Sequence, residues 1–198
     1  MKAYLFLIPL LFGFASNLAS AFTTVFSRRL GARRGSLVTV LLRDVLGIPV
    51  WAIGFGLAFH ASSPFLLAST LLMTILGWLS IVIGGAVIIV ALITIRLRSV
   101  APSTQDALAQ VGIYAHVRHP IHSGTLLEFL GVFLIDPSLT VAIACTIGIA
   151  WVFLQTRFEE QDLLLRLPAY REYMARVPRF LPRRRAHPLA SFPPGRGK

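Results

Sequence analysis

The sequence predicts an all-α, polytopic membrane protein: a helical bundle of about five transmembrane helices with a C-terminal cytoplasmic amphipathic helix. The composition is the first indication. Of the 198 residues, 56% are hydrophobic and 14% are charged, whereas about 25% of residues in a soluble domain are charged. The mean hydropathy of +0.74 agrees. The apolar residues also fall into long runs, which favours the bilayer as the solvent.

The predicted spans follow from the lengths of these runs, because crossing the hydrocarbon core takes about 20 mostly apolar residues. They cover residues 4–26, 37–59, 65–95, 121–135 and 139–158. The third run is longer than one upright helix needs. It is either one tilted helix or a short segment followed by a span from about Leu72. The fourth run is short, and four or six spans are also compatible with the sequence.

The chain is strongly basic, with a formal net charge of +11, and its arginines are unevenly distributed. Arginines follow the first, third and fifth predicted spans, beginning with Arg28, Arg29, Arg33 and Arg34, whereas residues 60–64 and 136–138 contain no Lys or Arg. The positive-inside rule therefore predicts an outer N-terminus and a cytoplasmic C-terminus. In so apolar a chain, this charge indicates anionic membrane lipids as partners and no nucleic acid.

The chain ends and the single cysteine lead to smaller expectations. Residues 1–21 partly resemble a secretory signal, but cleavage there would leave the first arginine cluster on the wrong side, so we expect an uncleaved first span. The Pro- and Arg-rich residues 183–198 are expected to be disordered. Cys145 is the only cysteine, which excludes an intramolecular disulfide.

Residues 112–124 are the segment richest in chemically active side chains. Three histidines, an arginine and a tyrosine occur there, between the third and fourth spans. Pro120 suits the first turn of a helix, so the fourth span should begin near His119 with its free N–H groups and positive dipole end facing the cytoplasm. His119 and His122 then lie on neighbouring turns, with Arg118 beside them. We expect a cationic cup for a carboxylate or phosphate.

An acidic pair, Glu159-Glu160, follows the fifth span. The connection Asp136-Pro137-Ser138 predicts a tight turn between antiparallel helices, which returns the acidic pair to the side of Arg118 and His119. Carboxylates accept hydrogen bonds from hydroxyl and amino groups and attract cations. The following residues 161–176 have apolar side chains at helical spacing and predict the amphipathic helix.

Together these motifs resemble the family of membrane-bound isoprenylcysteine carboxyl methyltransferases and phospholipid methyltransferases. The resemblance covers roughly the last ninety residues, and the first two spans carry no matching motif. The matching residues are Gly112-Ile113-Tyr114, Arg118-His119-Pro120, Ser123-Gly124, Glu159-Glu160 with Leu163, Tyr170-Arg171-Glu172-Tyr173 and Val177-Pro178-Arg179-Phe180-Leu181-Pro182.

The resemblance implies an enzyme that uses S-adenosylmethionine and takes an amphiphilic, lipid-like substrate from the bilayer. It implies cofactor-binding roles for Tyr114, Arg118, His119, Pro120, His122, Gly124, Glu159 and Glu160. Two positions depart from the family: His122 stands where a tyrosine is usual, and Leu167-Pro168 where Phe-Gly is common. The expected organisation is N-terminal helices over residues 1–98, a catalytic half over 99–182 and the tail over 183–198.

Glu128 lies inside the fourth span and outside these motifs. An ionisable group at mid-bilayer costs about 2.5–3.5 kcal/mol, and such groups are usually functional or paired. We therefore expect Glu128 to meet Arg43 and line the substrate pocket, and we include it with Arg118 and His122 as the catalytic candidates. Alternatively, Arg43 and Asp44 extend towards the headgroups. No metal site is expected, because the histidines fit the family pattern without one.

The leading functional hypothesis is methyl transfer to the carboxylate of an isoprenylcysteine-type substrate. The alternative acceptor is a phospholipid amine such as phosphatidylethanolamine, which requires a proton acceptor such as His116 or His122. A hypothesis of another class is a non-catalytic lipid-binding protein or small transporter. The sequence makes no prediction of the oligomeric state.

Overall fold

The computed structural model describes residues 4–95 and 110–182. Its helices are α1 (Leu7–Ser20), α2 (Thr23–Leu30), α3 (Ala32–Val40), α4 (Ile48–Phe59), α5 (Leu71–Thr94), α6 (Pro120–Ile135), α7 (Leu139–Arg166) and α8 (Tyr170–Arg176). A π-helical turn, Leu41–Val45, joins α3 to α4, and a 3-10 turn, Gly112–Ala115, precedes α6. The predicted all-α membrane class is confirmed. The predicted disordered tail lies outside the described residues.

Within the part of the chain that the structure describes, three or four helices can cross a membrane by length and composition, which is compatible with the alternative of four spans, and the count of five stays a prediction. Ala32–Phe59, Leu71–Thr94 and Leu139–Arg166 are long and apolar enough, and α1 with α2, bent by 65°, adds a fourth if the pair counts as one span. Helix α6 has only 16 residues, which is short for a full crossing. For the third predicted run, a helix forms only from Leu71 onwards. The alternative of a short segment followed by a span from about Leu72 is therefore the correct one.

The two loops that lack Lys and Arg lie together at one end of the bundle. The backbone N–H of Leu66 donates to the Pro137 carbonyl at 2.8 Å, and that of Leu139 donates to the Pro64 carbonyl at 2.9 Å. Helix α1 packs antiparallel to α4, so the arginine-rich α2–α3 junction lies at the opposite end. This arrangement supports the predicted topology, although the orientation in a membrane stays a prediction.

Helices α5 and α6 pack closely through glycines that are seven residues apart on each helix. A Cβ atom at Gly131 would lie 2.6 Å from the Gly77 carbonyl oxygen, and one at Gly124 would lie 2.5 Å from that of Gly84. Small residues allow this backbone approach between membrane helices. Because α6 also packs against α7, this contact connects the outer helix α5 to the rest of the bundle.

An aromatic cluster occupies the core between α1, α4, α6 and α7. The ring of Phe14 is stacked on that of Trp151, with centroids 4.8 Å apart, and lies 5.6 Å from the ring of Trp51. Phe55 stacks on Phe129 at 5.1 Å. Such offset contacts add to the stabilisation from apolar burial, so α1 and α4 are held against the hairpin of α6 and α7.

The prediction of one amphipathic helix over residues 161–176 is wrong. Helix α7 continues to Arg166, and α8 begins only at Tyr170. Leu167 has an extended backbone with φ −131° and ψ 91°, as expected for a residue before proline. Pro168 therefore separates the two helices, and α8 turns back so that Tyr170 and Tyr173 become buried.

We predict that Gly131→Ala destabilises the protein by about 1–3 kcal/mol, because the added methyl group forces α5 away from α6. Gly56→Ala is the matched control, since a Cβ atom at Gly56 meets nothing within 4 Å. Thermal unfolding in detergent measures both variants. Equal melting temperatures for Gly131→Ala and Gly56→Ala would contradict the proposed close packing.

Candidate functional site

A cavity of about 650 Å³ opens at the arginine-rich end of the bundle. Its volume lies within the range of about 300–1,000 Å³ that is typical of small-molecule sites. One wall consists of the 3-10 turn, the start of α6, the end of α7 and α8. A second wall consists of residues from α1, the start of α2, α3 and the π-helical turn. Both halves of the chain therefore contribute to one site.

The Arg118-His119-Pro120 segment enters α6 as predicted. His119 is the N-cap residue, with a non-helical backbone, and Pro120 occupies the first turn, where its missing N–H leaves no hydrogen bond unmade. The N–H groups of Arg118 and His119 donate to the carbonyls of Pro178 and Arg179 at 2.9 and 3.0 Å. The segment 177–182 consequently holds the start of α6 in place.

Glu160 is the electrostatic centre of this region. Its side chain is 4% exposed, and one carboxylate oxygen lies 3.3 Å from Arg118 Nη2 and 3.1 Å from His119 Nε2. Both carboxylate oxygens also accept hydrogen bonds from the guanidinium of Arg179. The predicted meeting of the acidic pair and the basic segment is therefore confirmed, with Arg179 as an additional partner.

Glu159 has a different environment from its neighbour. It lines the cavity, whereas Glu160 does not, and its side chain is 32% exposed. One of its oxygens accepts a hydrogen bond from Gln155 Nε2 at 2.8 Å, and the other lies 3.6 Å from His119 Nδ1. Glu159 is thus the carboxylate that a ligand can reach, and Glu160 is the one that organises the surrounding cations.

The imidazole of His119 lies between these two carboxylates. Burial by itself would lower its pKa, but the hydrogen bonds to Glu159 and Glu160, with their negative charges, raise the pKa of His119 above its ordinary value of 6.5. The charged imidazolium donates from both ring nitrogens. It therefore bridges the two carboxylates and completes the cationic side of the cup.

A hydrogen bond between two tyrosines fixes the 3-10 turn, and both tyrosines line the cavity. The Tyr173 hydroxyl donates to the Tyr114 carbonyl at 2.6 Å. Burial, with a smaller contribution from the Glu159 charge, raises the pKa of Tyr114 to about 12. The phenol consequently stays protonated at neutral pH, and it presents a neutral ring and one O–H donor to the cavity.

His122 and Gly124 have different positions relative to the cavity. His122 lines it, with its ring centroid 5.8 Å from Trp151 and 5.7 Å from His119. Gly124 does not line it and instead contacts the backbone of Gly84 and the side chain of Ile88. The structure therefore places Gly124 in the contact between α5 and α6 and not in the lining of the cavity.

The predicted pairing of Glu128 with Arg43 is wrong. The Arg43 guanidinium binds both carboxylate oxygens of Asp44, with Nε 2.8 Å from Oδ1. Glu128 lies against Gly84 and Gly85 of α5 and does not line the cavity. The glycines leave room beside α5 for the glutamate stem, which the sequence pattern alone did not indicate. A catalytic role for Glu128 has no geometric support.

His119, His122 and Glu159 form a cluster whose possible ligand atoms lie within 4.8 Å of one another. This spacing alone is compatible with a metal ion. However, a metal ligand must be a neutral imidazole with a free lone pair, whereas His119 directs both ring nitrogens at carboxylates. The geometry favours a charged His119 within a hydrogen-bond network.

Sequence reasoning missed several residues of the site, three of which contact the predicted site residues directly. Arg179 binds Glu160, Gln155 orients Glu159, and Trp151 lies beside His122. Only Arg179 had a signal, because it falls in the segment that resembles the family's C-terminal motif. Gln155 lies one helical turn before Glu159, but an apolar helix gave no reason to single it out.

The fold and the site define a helical membrane protein with a polar ligand cavity at one end of its bundle. A family model described as Phospholipid methyltransferase matches residues 72–167, a segment with α6, α7 and nearly all of α5. The match agrees with the family that the motifs predicted, the phospholipid methyltransferase family of membrane methyltransferases, which act on lipid-like substrates. No curated protein and no solved structure matches the chain.

We predict that Glu160→Gln lowers the stability by about 3–5 kcal/mol, because it leaves Arg118, His119 and Arg179 without their common counter-charge. Glu172→Gln is the matched control, since that carboxylate is 76% exposed and its nearest ion-pair contact is 4.0 Å. Thermal unfolding in detergent compares the two variants. A Glu160→Gln variant as stable as the control would show that Glu160 does not organise the site.

The raised pKa of His119 predicts a pH-dependent stability of the ligand-free protein. A group whose pKa is higher in the folded state stabilises the fold below its unfolded pKa of about 6.5 and loses that contribution as pH rises through the folded value. The melting temperature should therefore fall from pH 6.5 towards higher pH, and His119→Asn should flatten that fall. A wild-type melting temperature that rises over this range would contradict the assignment.

Proposed function

We propose that this protein is an S-adenosylmethionine-dependent methyltransferase that methylates the carboxylate of an isoprenylcysteine-type lipid. The observation that carries the proposal is that one cavity is lined by two sets of residues. One wall is polar and belongs to the N-terminal helices. The other wall presents the predicted site residues Arg118, His119, Tyr114 and Glu159. The apolar helices around the cavity suit an acceptor that arrives from the bilayer. We further propose that the cavity and the C-terminus face the cytoplasm, with the N-terminus outside.

The chemistry of the residues fits S-adenosylmethionine. Arg118 lines the cavity, and its buried Nε atom has no hydrogen-bond partner among the described residues. A buried unpaired donor costs about 1–3 kcal/mol, and a ligand carboxylate would satisfy it. Glu159 can accept hydrogen bonds from ribose hydroxyls or an adenine amino group. The neutral ring of Tyr114 can pack against a sulfonium cation.

The bound cofactor would supply a methyl group already activated by its positive sulfur. The tasks left to the protein are orientation and exclusion of water. Arg118 and His119, both fixed by the segment 177–182, provide a rigid anchor for one end of the ligand. Trp151 and His122 line the interior of the cavity, where they limit access of water to the reacting groups.

A carboxylate acceptor fits this site because it needs no general base. A phospholipid amine is the second candidate, and the family description favours it. That reaction must release a proton, and His122 lines the cavity as a candidate acceptor for it. Product chemistry separates the two candidates: a methyl ester is cleaved by base, whereas an N-methyl group is stable.

We predict that purified protein binds S-adenosylmethionine and that Glu159→Gln raises the dissociation constant at least about tenfold, as expected for loss of a charge-assisted hydrogen bond. Arg118→Ala should weaken binding by a similar factor. Isothermal titration calorimetry in detergent measures each constant. Glu159→Gln should lower the melting temperature of the ligand-free protein less than Glu160→Gln does, since the Glu159 side chain is 32% exposed and that of Glu160 is 4% exposed.

Arg157→Ala is the control for both variants, because Arg157 is exposed on α7 and does not line the cavity. Its dissociation constant should equal that of the wild type. A wild-type protein that binds no S-adenosylmethionine would overturn the enzyme proposal. It would favour the non-catalytic class, a lipid-binding protein or small transporter, in which Arg118→Ala alters membrane retention only.

A further inference from the structure

We infer that the hairpin formed by α2 and α3 is a docking surface for anionic phospholipid headgroups, whose phosphate oxygens are bound by the arginines of the hairpin. The inference goes beyond the proposed function, since it concerns the outer surface of the protein and requires neither the cofactor nor methyl transfer. The arginines are Arg28, Arg29, Arg33 and Arg34, and all four are exposed.

The positive charge of this hairpin is not balanced by the described part of the chain. The first acidic residue of the sequence is Asp44, so neither helix of the hairpin contains a carboxylate. Among residues 4–95 and 110–182, no ion pair involves any of the four arginines. A guanidinium binds two phosphate oxygens in parallel, so the hairpin fits a surface that presents several phosphates.

The tip of the hairpin is an ordered turn that holds the arginines of both helices together. Gly31 lies between α2 and α3 with φ +83°, a backbone conformation that favours glycine. A Cβ atom at Gly35 would lie 2.5 Å from the backbone nitrogen of Ser27, so the two helices are in backbone contact. The arginines therefore form one compact cationic surface.

The start of the hairpin is fixed to the end of α7. The Thr24 N–H, in the first turn of α2, donates to Asp162 Oδ1 at 3.0 Å, and both residues are buried. Beside this bond, the rings of Phe22 and Phe158 have centroids 5.3 Å apart. These contacts hold α2 at its 65° bend from α1 and give the cationic surface a defined direction.

The length of the following span places the hairpin tip at headgroup depth. The stretch Ala32–Phe59 has 28 residues, or about 42 Å at 1.5 Å per residue, whereas the hydrocarbon core is about 30 Å thick. The last turn of α4 is apolar, and the first turn of α3 contains Arg33 and Arg34. The excess length of about 12 Å therefore lies at the arginine end, among the headgroups.

Apolar side chains of the same hairpin also favour a lipid partner. Val25 is 40% exposed, Leu30 is 46% exposed and Leu37 is 61% exposed. A helical element with exposed apolar and cationic side chains binds at the membrane interface through both. The leaflet that faces the cytoplasm in the proposed topology is the one that carries anionic lipids.

The position of the hairpin connects this surface to the cavity. Thr23 of α2 and Thr39 of α3 line the cavity, whereas the four arginines do not. An anionic headgroup held by the arginines consequently lies on the same element that forms the second wall of the cavity. The hairpin would thus hold anionic lipids next to the cavity without placing them inside it.

Fluorescence energy transfer tests the inference without an activity assay. Detergent-solubilised full-length protein is titrated with phosphatidylglycerol or phosphatidylcholine that carries pyrene on an acyl chain, and the three tryptophans of the chain serve as donors. The readout is the ratio of the two apparent dissociation constants, phosphatidylcholine over phosphatidylglycerol. Each basic residue near an anionic surface contributes about fivefold, so replacing all four arginines with glutamine should lower this ratio at least about tenfold.

Two further sets of variants accompany the fourfold glutamine variant. Replacing the same arginines with lysine keeps the charge and should keep the ratio within about threefold of wild type. The pairs Arg28→Gln/Arg29→Gln and Arg33→Gln/Arg34→Gln keep the test available if the fourfold variant does not fold. Each pair should lower the ratio at least about threefold.

The matched control replaces Arg157, Arg171 and Arg176 with glutamine, because these arginines are exposed on α7 and α8. Its ratio should stay within about twofold of wild type. A similar loss per charge in the control and in the hairpin variants would indicate a general effect of net charge and overturn the inference. An unchanged ratio in the hairpin variants would also overturn it and leave an acidic protein as the partner that this charge fits.

Calorimetry with S-adenosylmethionine on the same samples keeps this inference separate from the proposed function. Lost selectivity for phosphatidylglycerol with an unchanged cofactor dissociation constant is the expected result for the hairpin variants. If the wild type binds no cofactor but the hairpin variants lose this selectivity, the proposed function fails and the docking surface stands.

Discussion

The buried carboxylate of Glu160 is the interaction on which the rest of the site depends. It binds Arg118, His119 and Arg179, which come from the start of α6 and from the segment after α8. A buried charge is tolerated only when it is paired and hydrogen-bonded. Since its partners lie on separate parts of the chain, satisfying this one charge forces the end of α7, the start of α6 and the C-terminal segment into one arrangement.

Glu159 and Glu160 have different environments because of helix geometry. Successive residues on an α-helix point about 100° apart. Two adjacent glutamates therefore face different surroundings, one the cavity and the other the buried cations. Glu160 turns inward, whereas Glu159 faces the cavity and is oriented by Gln155. His119 contacts both carboxylates, and the charge state of the inner network therefore acts directly on the carboxylate that a ligand meets.

Much of this arrangement was predictable from the sequence, and the rest depended on rotations and backbone detail. The hairpin turn at Asp136-Pro137-Ser138 and the N-cap before Pro120 are local signals, so the approach of the acidic pair to the basic segment was predicted. The direction of each side chain around a helix was not. Glu128 lies against the α5 glycines and not beside Arg43. The sequence could not predict this direction, because a uniformly apolar helix has no polar face that indicates how it is rotated.

The break at Pro168 shows the same limit at the level of the backbone. Leu163, Leu167, Tyr170 and Tyr173 have the spacing of one amphipathic helix, yet the proline ends α7 and lets α8 fold back. The reversal buries Tyr173, whose hydroxyl holds the turn that carries Tyr114. Pro168, which disrupts the periodic pattern, thus helps to place Tyr170 and Tyr173 in the lining of the cavity. The position where sequence periodicity fails is also where the C-terminal segment is directed towards Arg118 and His119.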